Sequence, residues 1–449
     1  MRAAFRSQLP LLATYGSHPR ARELVALDRL IEHNPELVEL VSKGLLSRPT
    51  VSKDNGRPGM SGEQILRCAI VRVLENCSYE DLEFLLTDSR SYGRFCRIGI
   101  AEKSPSASAL QENLRGVEPE VWKSINDAVV RLAKELGVEG GAKVRVDCTV
   151  TAANIHPPDD AAQLFDVVRV LQRLLRQAEK LRAGVKVHSR TKRAKRRRLE
   201  ILNEKGEERK AAYRDLMRVT EEVLGWAKSA VGLLRADAPP NDPASHLANE
   251  IEHFVKLGDQ VVEQTRRRVI AGEKVPAQQK VVSIFEPHTD IIIKDKRDVH
   301  YGHKLLIATG ASGLVLHCEV LKGNPADSTL VGPALDSVAS ALGSMPEQAA
   351  FDGCFASQEG LALAKDKGVR DVCFSKRRGM EIADMARSNL IYRALWRFRA
   401  GVEAGISWLK RCFGLDRCNW KGEDGFHAYV QSSVVAFNLV VLARALTPG

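Results

Sequence analysis

The spacing of hydrophobic residues predicts helices over about the first 135 residues. In SGEQILRCAIVRVLENCSYEDLEFLL the apolar residues recur every three or four positions and share one helical face: Ile65, Ala69, Val73 and Leu74. Ser61 and Ser78 precede two such stretches, and serine is a favoured N-cap residue. The N-terminal region is therefore expected to be a bundle of capped helices.

The period changes to two in GAKVRVDCTVTAANIH, which predicts a strand. One set of alternate residues is mostly apolar: Val144, Val146, Cys148 and Val150. The other set is polar: Arg145, Asp147 and Thr149. The strand should face a core on its apolar side and present Asp147 on the opposite face.

Helical spacing returns in long charged segments from about residue 160 to 275, divided by DAPPNDPASH. Strand-like runs follow at VVSIFEP, DIIIKDK, HKLLIATG and GLVLHCEVL, the last two as a hairpin around TGASG. A helix, the strand QAAFDGCF, the helix SQEGLALAKDKG and the strand VRDVCFSK come next, and the chain is helical beyond Ser388. This order predicts an α/β fold whose first strand is followed by a long helical insertion.

The late helix RALWRFRAGVEAGISWLKRCFGLDRC has two adjoining faces. At ~100° per residue, its apolar residues form one arc toward the core: Leu395, Phe398, Val402, Ile406, Leu409 and Phe413. A second arc, beginning about 50° away, carries Trp396, Arg399, Glu403 and Lys410. Glu403 therefore leans over the edge of the packed surface, where it can reach the end of the sheet.

The charge balance favours a polyanionic partner. Lys and Arg outnumber Asp and Glu by 67 to 56, which gives a net charge of +11 and a pI near 9.2. Such an excess favours contacts with nucleic-acid phosphates, although it also keeps ordinary proteins soluble. The densest run, KVHSRTKRAKRRRLEILNEKGEERK, contains Arg196, Arg197 and Arg198. It either contacts DNA phosphates or forms a solvated helix face.

The cysteine pattern argues against a zinc site, and the hydropathy pattern argues against a membrane span. The nine cysteines form no C-x-x-C pair and no Cys/His spacing suited to zinc, which predicts reduced thiols in a cytosolic protein. The apolar segment AYVQSSVVAFNLVVLARAL is interrupted by four polar residues: Gln431, Ser432, Ser433 and Asn438. We therefore expect a buried helix rather than a membrane span, and no membrane partner.

Three acids stand out by context. Asp147 lies on the polar face of the first strand, Asp352 ends an apolar strand, and Glu403 lies on the late helix. Carboxylates from two strands and a helix can supply the hard oxygen ligands that a pair of Mg²⁺ ions needs. Taken singly, an Asp at a strand end is usually a cap or turn residue. Other aspartates are alternative candidates for these roles. Asp327 could be the second acid in place of Asp352, and Asp159 or Asp160 could be the first in place of Asp147.

Several segments resemble the DDE transposases of bacterial insertion sequences. Trp396, Arg399, Glu403 and Lys410 form W-x2-R-x3-E-x6-K, which is similar to the family's Y-x2-R-x3-E-x6-K signature. VRVDCTVTAANIHPP resembles the first-aspartate segment, AAFDGCFAS the second, and RDVHYGHKLLIATGASGLVLHCEVLKGNPADS the stretch between them. The long helical insertion and the segment around residues 61–86 are most similar to ISNCY-type members. The resemblance spans residues 55 to 430 or so.

The resemblance implies an RNase H-like core that requires Mg²⁺, with Mn²⁺ able to substitute. Such a core cleaves transposon ends and joins the 3′-hydroxyls to target DNA. Matched position by position, Asp147, Asp352 and Glu403 correspond to the catalytic, metal-binding triad. Arg399 and Lys410 correspond to residues that contact DNA phosphates near the scissile bond.

Three further residues are candidates for contacts with DNA. Trp396 replaces the family's tyrosine, and an indole can stack or donate one hydrogen bond but lacks the phenolic hydroxyl. His303 and Lys304 follow Tyr-Gly at a strand start. They are expected either to face DNA or to solubilise a strand edge.

The expected organisation has four parts. An α-helical domain over 1–138 would bind the terminal inverted repeats. An RNase H-like mixed-sheet core would comprise 139–158 and 276–430, interrupted by a basic helical insertion over 159–275. A C-terminal helix would span 431–449. We expect double-stranded DNA as partner, a homodimer in a synaptic complex, and a cytoplasmic, nucleoid-associated bacterial location. The alternatives are an inactive transposase-derived DNA-binding protein and a nuclease of the same fold that does not join strands.

Overall fold

The computed structural model describes residues 18–46, 59–99, 102–182, 184–185, 187–236, 242–294 and 298–447. The chain divides into two units, Met1–Ala152 with Lys304–Gly449, and Ala153–His303. The chain thus leaves the first unit after its first strand and returns to it within a later strand.

Helices and strands follow one another along the described chain. Their bounds are α1 (Pro19–Glu32), α2 (Glu36–Leu46), α3 (Gly62–Glu75), α4 (Tyr79–Asp88), α5 (Arg90–Phe95), α6 (Ala107–Arg115), α7 (Pro119–Glu135), β1 (Lys143–Ala152), α8 (Asp160–Leu181), α9 (Thr191–Asn203), α10 (Gly206–Arg235), α11 (Pro243–Thr265), β2 (Asp290–Lys294), β3 (Asp298–Gly310), β4 (Val315–Leu321), α12 (Val331–Leu342), β5 (Gln348–Phe351), α13 (Gln358–Asp366), β6 (Asp371–Phe374), α14 (Ile382–Met385), α15 (Asn389–Cys412) and α16 (Glu423–Leu446).

Two of the N-terminal helices, α3 and α4, begin where the sequence predicts. The Ser61 hydroxyl accepts the N–H of Gln64 at 3.2 Å, and the Ser78 hydroxyl accepts the N–H of Asp81 at 3.0 Å. In both caps the side chain at the third helical position accepts a hydrogen bond from the backbone N–H of the serine, so each is a complete capping box. The apolar face of α3 is buried in a core that also contains residues of the sheet, such as Val144.

The sheet of the first unit combines parallel and antiparallel pairs. Strand β3 lies beside β1, and β5 and then β6 continue the sheet on the other side of β1. Strand β4 is antiparallel to β3 across the predicted TGASG turn, whereas β5 pairs parallel to β1 and β6 parallel to β5. The predicted alternation is confirmed for the first part of β1, where Val144 and Val146 are fully buried and Arg145 and Asp147 are not. Beyond Asp147 it is wrong, because Thr149 is buried and Cys148 only partly so.

The last helix, α16, is a core helix of the first unit. It has the length and mean hydropathy of a membrane span, but 89% of the apolar window is buried inside the protein. Its polar residues bond the neighbouring strand β4. The Asn438 side chain accepts the N–H of Val315 at 2.8 Å and donates to its carbonyl at 2.7 Å, and Gln431 donates to the carbonyl of Cys318 at 2.8 Å. These amides pair with backbone groups inside the core, and the Val315 carbonyl also accepts from Asn126 Nδ2 at 3.4 Å.

The second unit contains helices α8 to α11 around their own hydrophobic core, together with the hairpin of β2 and the start of β3. The prediction of a strand at VVSIFEP is wrong. The Gln264 side chain accepts the N–H of Val281 at 2.9 Å and donates to its carbonyl at 3.1 Å. The apolar side chains of Val281 and Ile284 are buried in the helical core. The Gln264 side chain thus forms hydrogen bonds with the backbone N–H and carbonyl of Val281, which a neighbouring strand would otherwise bind.

The protein is of mixed α/β class, as predicted, with most of its described residues in helices. Strand β1 is separated from the other strands by the helices of the second unit, as predicted. The four-part division at residues 138, 158, 275 and 430 stays a prediction, as do the RNase H-like assignment and DNA binding by the N-terminal helices.

Candidate active site

Asp147 and Asp352 follow paired residues on neighbouring parallel strands. The register pairs Val146 of β1 with Phe351, the last residue of β5. Asp147 is the next residue of β1, and Asp352 is the first residue after β5. Neighbouring strands lie roughly 4.8 Å apart, and residues in register project to the same side of a sheet. The two aspartates therefore occupy adjacent register positions on neighbouring inner strands, at the point where β5 ends. Asp147 is held locally, since the N–H of Cys148 donates to its Oδ1 at 2.7 Å.

Asp352 is stabilised as a carboxylate. Ser375, its register neighbour after β6, donates from its hydroxyl to Asp352 Oδ1 at 3.0 Å, and the N–H of Cys354 donates to Oδ2 at 3.4 Å. Burial alone would raise the pKa of this carboxyl. The hydrogen bonds from the Gly353 N–H, Ser375 and Cys354, together with the charge of Arg399, outweigh burial, so the pKa lies below its ordinary value.

Helix α15 is docked onto the sheet by a half-buried arginine, Arg145. Arg145 Nε donates to Thr309 Oγ1 at 2.9 Å, Nη1 donates to the carbonyl of Phe398 at 3.1 Å, and Cζ lies 4.7 Å from the centre of the Phe398 ring. Gly401 allows this approach, because a Cβ there would overlap Nη1. Burial lowers the pKa of Arg145, although an arginine stays charged at neutral pH. Arg145 alternates with Asp147 on one face of β1, so the helix lies over the face that carries the first acid.

Arg399 joins two of the three acids. Its Nη1 lies 3.3 Å from Asp352 Oδ1, and its Nη2 lies 2.8 Å from Glu403 Oε1. The Glu403 side chain is 62% exposed, whereas that of Arg399 is only 13% exposed. Glu403 is thus linked to the end of β5 through the arginine one helical turn earlier, and its own approach to the sheet stays a prediction.

Asp147 and Glu403 also line a common cleft of about 730 Å³. The residues that line it are Asn76, Asp147, Cys148, Thr149, Glu403, Ile406, Ser407, Lys410, Arg411 and Asp416. Lys410 Nζ donates to the carbonyl of Val150 at 2.8 Å and lies 3.8 Å from Asp416 Oδ1. The cleft thus combines acids with the two cations at the C-terminal end of α15.

The chemistry of the three acids suits Mg²⁺, but their arrangement does not form a metal site. Carboxylate oxygens are the ligands that Mg²⁺ prefers. Among the described residues, no group of three or more His, Cys, Asp or Glu side chains is gathered closely enough to hold a metal ion. The guanidinium of Arg399 instead contacts one oxygen of Asp352 and one of Glu403. As arranged, these two carboxylates bind an arginine.

Two family models match the chain on either side of β1. Residues 15–115 match the model described as Transposase domain (DUF772), and residues 280–439 match the Transposase DDE domain. The chain belongs to the DDE transposases of insertion sequences. The second matched range contains Asp352 and Glu403, whereas Asp147 lies between the two ranges. Searches of curated proteins and of solved structures found no significant match.

In this transposase the tryptophan of the W-x2-R-x3-E-x6-K motif lies at the surface. The Trp396 side chain is half exposed, on the helix face that carries Arg399 and Glu403. Tyr392, one turn earlier, cannot supply the missing phenol, because its hydroxyl donates to the carbonyl of Phe374 at 2.7 Å. Burial raises the pKa of Tyr392 to about 12. The indole is therefore the aromatic group available at this position.

His303 and Lys304 are buried, and each contacts acidic side chains. In the second unit, His303 bonds through one ring nitrogen to Asp290 at 2.9 Å and through the other to His288 at 2.7 Å. In the first unit, Lys304 Nζ lies 2.5 Å from Asp327 Oδ1, so the rival second acid is paired with a lysine. DNA contacts by His303 and Lys304 stay predictions.

The three arginines of the basic run have different surroundings within the second unit. Arg197 pairs with Asp215 at 2.5 Å, and the Arg198 guanidinium lies 5.6 Å from the centre of the Phe165 ring. Hydrogen bonds from arginines outweigh burial and hold the pKa of Asp215 well below its usual range. The Arg196 side chain is 66% exposed. Internal ion pairs therefore neutralise part of this run and leave Arg196 the most accessible of the three.

Sequence reasoning missed three residues of this region. Ser375 carried a signal, because it follows its strand as Asp352 follows the neighbouring one. Arg145 carried a weaker one, since it shares the polar face of β1 with Asp147. Asp416 enters the cleft from the loop after α15, and its position depends on the fold alone.

Proposed function

We propose that this transposase cleaves DNA at transposon ends and joins the 3′-hydroxyls to target DNA, with Asp147, Asp352 and Glu403 as its acidic triad. One observation carries the proposal. Two acids directly follow paired residues of adjacent parallel strands, and the third lies on a helix packed against those strands. The order strand, strand, helix agrees with the RNase H-like core that the sequence resemblance implies. The family assignment supports DNA as the substrate.

We further propose that the triad holds Mg²⁺, with Mn²⁺ able to substitute, once its carboxylates have gathered. Such ions supply activation of the attacking hydroxyl and stabilisation of the leaving oxygen. The protein contributes charged oxygen ligands. The lowered pKa of Asp352 supports this role, because a carboxylate that stays ionised at neutral pH can bind a cation without first losing a proton.

The same helix supplies candidate DNA contacts. Arg399 and Lys410 flank Glu403 on α15 and would contact phosphates, and the exposed ring of Trp396 would stack on a base or sugar. Arg196 in the second unit would add a backbone contact. We also propose that residues 1–138 bind the inverted repeats. Two copies would act together, because two transposon ends must be brought together. The protein would act in the bacterial cytoplasm, associated with the nucleoid.

A cleavage and joining assay tests the proposal. The substrate is a linear duplex that carries the terminal sequences flanking the gene, incubated with full-length protein and Mg²⁺. Asp147→Asn, Asp352→Asn and Glu403→Gln remove a charge at nearly constant shape, and each is expected to bind ends but not to cleave. Asp416→Asn is the matched control, because Asp416 lies in the same cleft with its side chain 78% exposed and is outside the triad.

The products distinguish the proposal from its alternatives. Retained cleavage by one of the three variants removes that residue from the triad. Cleaved but unjoined ends from the wild type would indicate a nuclease of this fold. End binding by the wild type without any cleavage would indicate a DNA-binding protein derived from a transposase.

A further inference from the structure

Arg399 is held in place mainly by two acids of the proposed triad. Nη1 lies 3.3 Å from Asp352 Oδ1 and Nη2 lies 2.8 Å from Glu403 Oε1. Its side chain is 13% exposed, and its Nε is buried without a hydrogen-bond partner. A guanidinium with a complete set of neutral acceptors would have a partner at Nε. The two ion pairs therefore account for its position.

The location of Arg399 follows from both the helix and the sheet. Residues 399 and 403 are one helical turn apart, so their side chains meet on the same face of α15. Asp352 approaches from the end of β5. The guanidinium thus occupies the space between the sheet edge and the helix. Its charge is permanent, and it offsets the repulsion between the two carboxylates.

We propose that Arg399 is an internal counter-ion that competes with the divalent metal ion for Asp352 and Glu403 and gives up Glu403 when the ion binds. This inference rests on the proposed function, because it takes both acids as metal ligands. A divalent cation held by the same two carboxylates would repel the guanidinium at short range. The released guanidinium lies on the helix face proposed to contact DNA. Arg399 therefore neutralises the acids before the metal ion binds and contacts a DNA phosphate afterwards.

Binding of Mn²⁺ to the full-length protein without DNA, measured by calorimetry, tests the counter-ion role. Arg399→Gln removes the competing charge, and its affinity for Mn²⁺ is expected to rise by about 5- to 150-fold, the range typical of coupling between two sites. Arg399→Lys keeps a charge that cannot bridge both acids, so its affinity is expected to lie between wild type and Arg399→Gln.

Arg411→Gln is the matched control. Arg411 lies on the same helix as Arg399 and lines the cleft that Glu403 lines, and its Nε donates to the carbonyl of Ser407 rather than to an acid. Its loss is expected to leave the affinity for Mn²⁺ close to wild type. An equal rise in affinity in Arg411→Gln would indicate a general charge effect and overturn the counter-ion role.

The counter-ion role and the metal site fail in different ways. Wild-type or weaker affinity in both Arg399 variants overturns the counter-ion role, and a melting curve establishes that each variant is folded. If Arg399→Gln does not fold, Arg399→Lys decides alone. Asp352→Asn and Glu403→Gln are expected to lose Mn²⁺ binding. If they bind Mn²⁺ as wild type does, the proposed metal site itself is wrong and the counter-ion role falls with it.

Discussion

Two glycines of α15 form a matched pair that tests how the helix is docked. A Cβ at Gly401 would overlap Nη1 of Arg145 and lie 2.8 Å from its Cζ, whereas nothing lies within 4 Å of a Cβ at Gly405. Alanine is favoured over glycine in a helix by about 1 kcal/mol, so Gly405→Ala is expected to stabilise the protein by up to that amount. Gly401→Ala gains the same term but displaces the guanidinium from Thr309 and Phe398.

The displaced contacts are larger than the gain in helix propensity. Hydrogen bonds of a charged group contribute about 1.5–3 kcal/mol, and a cation–π contact contributes about 0.5–2 kcal/mol. The net expectation for Gly401→Ala is therefore a loss of about 1–4 kcal/mol in the free energy of unfolding. Because α15 carries Glu403, strand cleavage should fall by about 100-fold if the helix moves by roughly 1 Å.

Urea unfolding of the two purified variants measures the difference. The transition midpoint is expected to fall for Gly401→Ala and to rise for Gly405→Ala. Equal midpoints for the two variants, or a stabilised Gly401→Ala, would mean that Arg145 does not pack beneath Gly401. The account of how α15 is held on the sheet would then be refuted.

Three further predictions concern separate parts of the molecule. Asn438→Leu leaves the buried Val315 N–H without its partner, so urea unfolding should show a loss of about 1–3 kcal/mol; wild-type stability would contradict this. Ser375→Ala removes a hydrogen bond that lowers the pKa of Asp352. A lowered native pKa stabilises the protein above the unfolded value of about 3.9. The deficit of Ser375→Ala should therefore be present at neutral pH and disappear as the solution is acidified through the native pKa, and a deficit that persists in acid would contradict the reasoning. Arg196→Gln should reduce the slope of log affinity for duplex DNA against log salt by about 0.9, and an unchanged slope would exclude a phosphate contact.

The elements that could be predicted from the sequence are those in which the local pattern of apolar and polar residues matches the burial of their side chains. The alternation over residues 144–147 placed Asp147 on the face opposite the buried Val144 and Val146, because successive side chains of a strand point to opposite faces. The two arcs of α15 separated buried residues such as Leu395 and Val402 from Arg399 and Glu403 by helical spacing. The serine caps were predictable because a cap depends on residues three positions apart.

Contacts between distant segments could not be predicted in this way. Gln264 takes the backbone groups of Val281 and so prevents a strand whose apolar, β-branched residues favour one. The partners of Arg399 depend on the register of β5 and the docking of α15, neither of which leaves a local pattern. The motif predicted that this arginine contacts DNA, whereas its observed partners are two acids of the proposed triad.

Metal-directed cleavage of the protein backbone tests most directly whether the three acids form one site. Fe²⁺ substituted for Mg²⁺ generates hydroxyl radicals with ascorbate and peroxide, which cut the chain beside the bound ion. We expect cuts next to Asp147, Asp352 and Glu403, all lost together in Asp147→Asn and retained in Asp416→Asn. Cuts confined to other segments, or an unchanged pattern in Asp147→Asn, would contradict the triad.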